Sequence, residues 1–354
     1  MDEEEKERWN RKKQTLIDEI SDKLINGDVA TKIQAAREIR SMIRNRNSSA
    51  KIRVKFAAAG VIQPLVLMLC SQQLEAREVS LLALLNLASR NERNKEQIVT
   101  CGAIPPLVKL LKFQNTSNLR ELATAAILTL SAAPNNRPTI SSSGAVPLLI
   151  QILSCGSVQG RVDAVTALHN ITTSQEEPII ALDATAALPL INLLKECKKY
   201  SKFAEKTTSL LEIISKSPQG MLAITKAQDG ILTLVETIED GSLVSTNHAV
   251  SVLLALCMSS RNKYRELILN EGAIPGLLRL TVDGTHEAQN KARLLLDLLR
   301  DTTPEKRLSS SVLEKMVHEI AARVDGSEKP AETAKILLQD MVQRSMNKGS
   351  SRTP

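Results

Sequence analysis

The chain has 354 residues, enough for two ordinary domains or one elongated array, and it is 43% hydrophobic but only 2% aromatic. Apolar mass carried by Leu, Ile, Val and Ala favours helices packed through aliphatic ridges and argues against sandwiches and barrels, which lean on aromatic and β-branched residues. The formal net charge is +7, and between Thr31 and Lys55 eight bases (Lys32, Arg37, Arg40, Arg44, Arg46, Lys51, Arg53, Lys55) stand against one acid, Glu38, so this stretch alone carries the excess.

No apolar run reaches the roughly 18 residues of a membrane-spanning helix. The opening Met1-Asp2-Glu3-Glu4-Glu5 has no signal-peptide core. Cys70, Cys101, Cys155, Cys197 and Cys257 are scattered and form no Cys-x-x-Cys. They read as small buried thiols of a reduced protein, cytoplasmic, nuclear or both.

In chain order, residues 1–28 read as an N-terminal capping helix, Glu3 to Ile25, ending at Asn26-Gly27. A repeat then organises residues 29–301. Its phrase runs Gly60-Val-Ile-Gln-Pro-Leu, Gly102-Ala-Ile-Pro-Pro-Leu, Gly144-Ala-Val-Pro-Leu-Leu, Ala186-Ala-Leu-Pro-Leu-Ile, Gly230-Ile-Leu-Thr-Leu-Val and Gly272-Ala-Ile-Pro-Gly-Leu, at spacings of 42, 42, 42, 44 and 42 residues. Glycine permits a left-handed break between two helices. Proline shortly after it (Pro64, Pro106, Pro147, Pro189, Pro275) suits the first turn of the next helix, where its missing N–H costs nothing. An apolar run follows, then a short polar loop and a longer amphipathic helix, such as Glu75 to Ser89.

Each unit thus reads as a short helix, a glycine turn, a second helix and a long third helix. No such unit buries its apolar faces alone, so about seven must stack into one core. A period near 42 lies in the armadillo/HEAT range, and the Gly-(Ala/Val)-Ile-x-Pro-Leu phrase with the Ala83-Leu-Leu-Asn-Leu87 ending favours an all-α solenoid that resembles the armadillo right-handed superhelix. Residues 302–346 read as a C-terminal helical extension, with helices over 309–324 and 331–346, and 347–354 as a disordered tail.

The repeat phrases, with Asn94-Lys95-Glu96-Gln97-Ile98-Val99 and Gly284-Thr285-His286-Glu287-Ala288-Gln289-Asn290-Lys291-Ala292, resemble the armadillo region of plant U-box ubiquitin ligases over roughly residues 30–300. In that family a U-box upstream of the repeats recruits the ubiquitin-conjugating enzyme. Only about 30 residues precede the first repeat, too few for that domain. The resemblance therefore implies the partner-recognition half without ligase activity of its own.

Importin-α, another armadillo protein, carries repeated Trp and Asn on its third helices. Here the Asn position holds Asn86, Thr129, Asn170, Glu212, Ala255 and Leu298, and the Trp position holds Leu82, Ala125, Thr166, Thr208, Ser251 and Leu294. Two Asn and no Trp disfavour an import receptor. Asn86 and Asn170, flanked by Thr129 and Glu212, remain candidates for holding the backbone of an extended peptide in a concave groove. Arg37, Arg40 and Arg44 share one helix face, and with Lys51, Arg53 and Lys55 they suit an acidic or phosphorylated segment. Nucleic acid is disfavoured because Phe56 is the one aromatic nearby.

His169, His248, His286 and His318 lie in separate units, and no P-loop, His-Glu-x-x-His or Gly-x-Ser-x-Gly occurs, so no catalytic residue, metal or cofactor is expected. Ser309-Ser310-Ser311 is a capping or phosphorylation candidate. The expected function is that of a non-catalytic, monomeric scaffold that binds a partner segment in its groove. The alternative is a recognition component in a ubiquitin ligase pathway. Partners are expected among other proteins, including kinases and ubiquitin-pathway components.

Overall fold

A computed structural model describes residues 3–44, 49–113, 117–173 and 182–300, and every regular element in it is helical. The chain divides into two compact units, residues 1–197 and 198–354. The expected extension over 302–346, the tail 347–354, Ser309 to Ser311, His318 and Arg46 lie outside the described residues.

In the first unit α1 (Glu3–Asn26) packs along α2 (Val29–Arg44). Three triplets follow: α3 (Ser49–Ala58), α4 (Ile62–Met68) and α5 (Leu74–Ala88); α6 (Glu92–Thr100), α7 (Ile104–Leu111) and α8 (Ser117–Ser131); α9 (Arg137–Ser142), α10 (Ala145–Cys155) and α11 (Val158–Thr172). The helix α12 (Ala187–Glu196) closes the unit. The long helices α2, α5, α8 and α11 lie side by side, each against the next. In the second unit α13 (Lys202–Ile214) leads two triplets: α14 (Pro218–Lys226), α15 (Gly230–Asp240) and α16 (Leu243–Ser259); α17 (Arg261–Asn270), α18 (Ala273–Asp283) and α19 (His286–Leu299). There α13, α16 and α19 form the equivalent row.

The cores are aliphatic, as the composition requires. Leu65, Leu81, Leu107, Ile127, Leu149 and Leu168 are completely buried in the first unit, and Leu210, Leu234, Leu253 and Leu277 in the second. Each such side chain contributes about 1.5–3 kcal/mol of burial, set against the entropy of ordering the chain.

The turn glycines adopt the left-handed conformation at Gly60, Gly102, Gly144 and Gly272, with φ from 74° to 84°. Two repeats solve the turn differently. At the fifth phrase Asp229 takes the left-handed conformation (φ 59°) and Gly230 is already the first residue of α15. Glycine is needed there for close approach, because a Cβ on it would lie 2.1 Å from the Ile224 carbonyl oxygen. At Ala186 the chain passes through a short 3-10 turn, Ala184–Ala186, capped by the Asp183 carboxylate on the Thr185 N–H.

A second punctuation mark went unread in the sequence. Ser157, Ser201, Ser242 and Thr285 each cap a third helix with the side-chain oxygen, accepting from Gly160, Ala204, Ser245 and Ala288 respectively. Of the cysteines expected to be buried, Cys257 is, and burial pushes its thiol up to about 11, whereas Cys70 and Cys155 are exposed.

Candidate interaction surface

One feature of the third helices repeats in the first unit with the period of the fold. Leu82, Leu85 and Asn86 on α5, Ala125, Leu128 and Thr129 on α8, and Thr166, His169 and Asn170 on α11 are all half-buried, while the residues between them are largely in the core. Three helices therefore present matched rungs of three residues, partly sheltered and partly open. This places Asn86, Thr129 and Asn170 on one type of face.

Part of their hydrogen-bonding capacity is already engaged. Asn86 Nδ2 donates to the Leu82 carbonyl at 2.6 Å, Thr129 Oγ1 donates to the Ala125 carbonyl at 2.8 Å, and Asn170 Nδ2 donates across the helix row to Ser131 Oγ at 3.1 Å. The side-chain oxygens of Asn86 and Asn170 are not used in these bonds, so the rungs are biased toward accepting from a partner's N–H groups.

The second unit carries a different face. Glu212 Oε2 meets His248 Nδ1 at 2.5 Å. Lys291 Nζ donates to Ser251 Oγ at 2.8 Å and to Asn247 Oδ1 at 3.3 Å, and it pairs with Glu287. Burial by itself would raise the Glu212 carboxyl. The hydrogen bond and charge of His248, with Lys291 and Ser251, outweigh burial and hold it below its ordinary value. Glu205 follows the same logic: burial raises it, but Lys202 and Ser242 Oγ (2.8 Å), with the His248 charge, bring it down.

The basic residues of the first unit separate into two kinds. Arg37 pairs with Glu75, binding α2 to α5, and Arg53 Nε donates to the Asn86 carbonyl at 2.8 Å. The Nε of Arg40 is buried without a hydrogen-bond partner. Arg44 and Lys51 are exposed and Lys55 is half-buried, and none of these three forms an ion pair among the described residues.

Two further ladders were legible in principle but were not read. Asn94 and Asn136, 42 residues apart, are 2% and 3% exposed. Asn94 Nδ2 donates to the carbonyls of Leu87 (2.9 Å) and Arg53 (3.4 Å). Asn136 Nδ2 donates to those of Leu130 (3.0 Å) and Lys95 (3.1 Å). Each amide thus caps a carbonyl at the end of a third helix, that of Leu130 being shared with the Ala133 N–H (3.2 Å), and ties it to the previous repeat. Arg77, Arg120 and Arg161 form the other ladder. They reach the Phe113 ring (5.4 Å to its centre), Cys155 Sγ (3.6 Å) and Glu196 (3.4 Å), each at the end of the next second helix. Their spacings of 43 and 41 residues were the available signal.

Against known proteins, the armadillo/β-catenin-like repeat model matches residues 91–132 and 133–173, and the model of the plant U-box protein ARM repeat region matches residues 162–319. The repeats are armadillo repeats. Among curated relatives, the armadillo chain is 32% identical to U-box domain-containing protein 25 of Arabidopsis thaliana over 28% of this chain and 24% of that protein. It is 28% identical to U-box domain-containing protein 45 of the same plant over 35% of this chain and 16% of that protein. The chain thus matches about a quarter or less of the length of these relatives.

Among solved structures, an engineered protein superposes with a TM-score of 0.63 at 22% identity, covering 90% of this chain and 80% of that one. A structure from work on a phosphorylation switch between cadherin and β-catenin superposes with a TM-score of 0.69 at 16% identity, covering 88% and 61%. At these identities the likeness concerns the armadillo fold alone.

Proposed function

We propose that the chain is a non-catalytic protein-interaction scaffold, cytoplasmic or nuclear and monomeric, that receives an extended partner segment on the third-helix face of its first unit. The observation that carries this reading is the matched set of half-buried rungs ending in Asn86, Thr129 and Asn170. A rung repeated at the period of the fold meets an extended chain at regular intervals, and amide oxygens not engaged within the fold suit its backbone N–H groups. Affinity then comes from many modest contacts, each worth about 1–3 kcal/mol on truncation.

Proximity labelling in cells tests it. Partners captured by the wild-type protein are expected to be lost from an Asn86→Ala/Asn170→Ala variant that melts normally. An unchanged partner list would remove the third-helix face from consideration.

A second reading, recognition of substrates or partners for a ubiquitin ligase supplied by another protein, is favoured by the similarity of residues 162–319 to the repeat region of plant U-box proteins. Purified chain with activating and conjugating enzymes is then expected to give no autoubiquitylation. Robust activity without an added ligase would overturn the non-catalytic reading altogether.

A further inference from the structure

The exit of α5 holds two arginines whose charges the fold leaves uncompensated. Arg53, on α3, is half-buried and fixed from both sides: its Nε donates to the Asn86 carbonyl at 2.8 Å, and its own carbonyl accepts from Asn94 Nδ2 at 3.4 Å. Arg90, two residues beyond α5, is exposed and sits in the left-handed conformation at φ 53°, a strain that glycine in its place would avoid. The two bonds that hold Arg53 go to Asn86 and Asn94, on either side of Arg90 in the chain, so the two cations share this helix exit. Burial, then the charge of Arg90, push the Arg53 guanidinium down from its ordinary value. Neither forms an ion pair among the described residues, and the nearby Glu92, exposed in the first turn of α6, does not pair with Arg90. Arg44 closes α2 and Lys51 opens α3, both exposed and unpaired as well.

Two like charges held together, one of them partly desolvated, are compensated best by a single dianion. A carboxylate neutralises one guanidinium, whereas a phosphate monoester neutralises both and accepts from each planar fork. Resting on the scaffold reading above, we propose that Arg53 and Arg90 form a phosphate-reading site for a phosphorylated side chain of a partner segment. The site adjoins Asn86, so it anchors the segment where the rungs of the first unit end. Single-stranded nucleic acid would need a stacking surface, but Phe56, the aromatic of α3, is completely buried. Stable seating on a lipid surface is helped by exposed aliphatics that insert beside the charges, and Val54 is the one large exposed apolar residue described on α3.

Fluorescence anisotropy on the full chain provides the test, with a mixed-sequence phosphoserine peptide pool and its unphosphorylated twin as probes. Wild type is expected to prefer the phosphorylated pool, and Arg90→Gly to weaken that binding by about tenfold, the size of one lost charge-assisted contact. Its melting temperature is expected to hold or rise, because glycine suits the backbone there. Arg90→Asn, also compatible with the left-handed conformation, serves as a second variant if the first misfolds. Arg53→Lys, which keeps the charge and loses the fork, is expected to weaken binding to a smaller degree.

Equal binding of the phosphorylated pool by wild type and the Arg90 variants overturns the proposal, as does no preference for it over the twin. Tighter binding to phosphatidylinositol-phosphate vesicles or to single-stranded DNA than to the peptides reassigns the site to a membrane or to nucleic acid and also overturns it. The scaffold reading is judged separately by the partner list from proximity labelling, so phosphate recognition can fail while that reading stands.

Discussion

The two units are built from the same repeat, yet they weight neutral and charged ties between their helices differently. In the first unit the amides of Asn94 and Asn136, both buried and neutral, satisfy the carbonyls of Leu87 and Leu130. In the second, at the end of α19, Arg261 Nε holds the Leu298 carbonyl (2.6 Å) and Arg265 Nε that of Leu299 (2.9 Å), the device that Arg53 supplies on the Asn86 carbonyl in the first unit. The helix row beside it is tied by Glu205, Glu212, His248, Glu287 and Lys291. A helix end must have its last carbonyls satisfied, but a neutral amide and a guanidinium do so equally well in geometry. What differs is exposure to salt and pH, and what charge is left over. The charged groups of the second unit's row largely answer one another, whereas at the exit of α5 in the first unit the cations have no answering acid among the described residues.

The largest expected effect probes the neutral side of this contrast. Asn94→Ala leaves the buried Leu87 carbonyl without its donor and breaks the tie to Arg53, and is expected to cost about 2–3 kcal/mol in a denaturant melt. Addition of salt should leave that loss unchanged. A cost under about 0.5 kcal/mol would mean that the amide only fills space. Next come the glycines of the repeated phrase, which look alike in sequence and differ in the fold. Gly230→Ala puts a Cβ 2.1 Å from the Ile224 carbonyl oxygen, a backbone atom that must move, at about 1–3 kcal/mol. Gly102→Ala meets no atom within 4 Å and pays only for φ 84°, about 1 kcal/mol. Equal losses at the two positions would erase the distinction between close approach and left-handed backbone.

This pair also marks how far the sequence could be read. The phrase and its period gave the armadillo fold, because a core built by stacking leaves a strictly periodic trace. They did not reveal that Asp229 takes over the turn from Gly230, since the phrase keeps its glycine while the reason for it changes. The shared half-buried register of Asn86, Thr129 and Asn170 was legible because register follows from the period. Their donors already being engaged by Leu82, Ala125 and Ser131 depends on rotamers that no spacing encodes. Among the bases, composition located the cluster, but only packing separates Arg37, paired with Glu75, from the unpaired Arg44. The clasps of Asn94 and Asn136 share the spacing of 42, but a spacing does not show that an amide turns inward onto a helix-end carbonyl and not outward to solvent.

Acid tests the charged side. Glu205, Glu212 and Glu287, all in the second unit, are held below their ordinary value of 4.5. A carboxyl depressed in the fold stabilises it fully above the unfolded value, and that contribution disappears as pH falls through the folded value. In the first unit buried Asp163 is shifted the other way: burial raises it, the Gln159 hydrogen bond opposes, and the Glu121 charge adds to the rise. Protonation of Asp163 therefore favours the fold as pH drops. Hydrogen exchange compared at about pH 7 and about pH 4, corrected for intrinsic rates, is expected to show α13, α16 and α19 losing protection before α8 and α11. Uniform loss across both units would mean that these carboxylates do not govern acid stability.

The smallest effect compares two residues of the same kind, one in each unit. Arg90 and Asp229 are the non-glycine residues with positive φ among those described, at 53° and 59°. A left-handed backbone costs a long side chain more than a short polar one, because Asp hydrogen-bonds locally and occupies this region several times more often. Glycine removes the strain at both positions but adds backbone entropy to the unfolded chain, about 0.5–1 kcal/mol against the fold. Arg90→Gly also removes the repulsion on Arg53, so it is expected to stabilise by about 0.5–1 kcal/mol in all. Asp229→Gly has no such relief and is expected to fall within about 0.5 kcal/mol of zero. Thermal melts of both variants check this, and a destabilised Arg90→Gly would mean that the arginine is held by favourable contacts and not as strained, uncompensated charge.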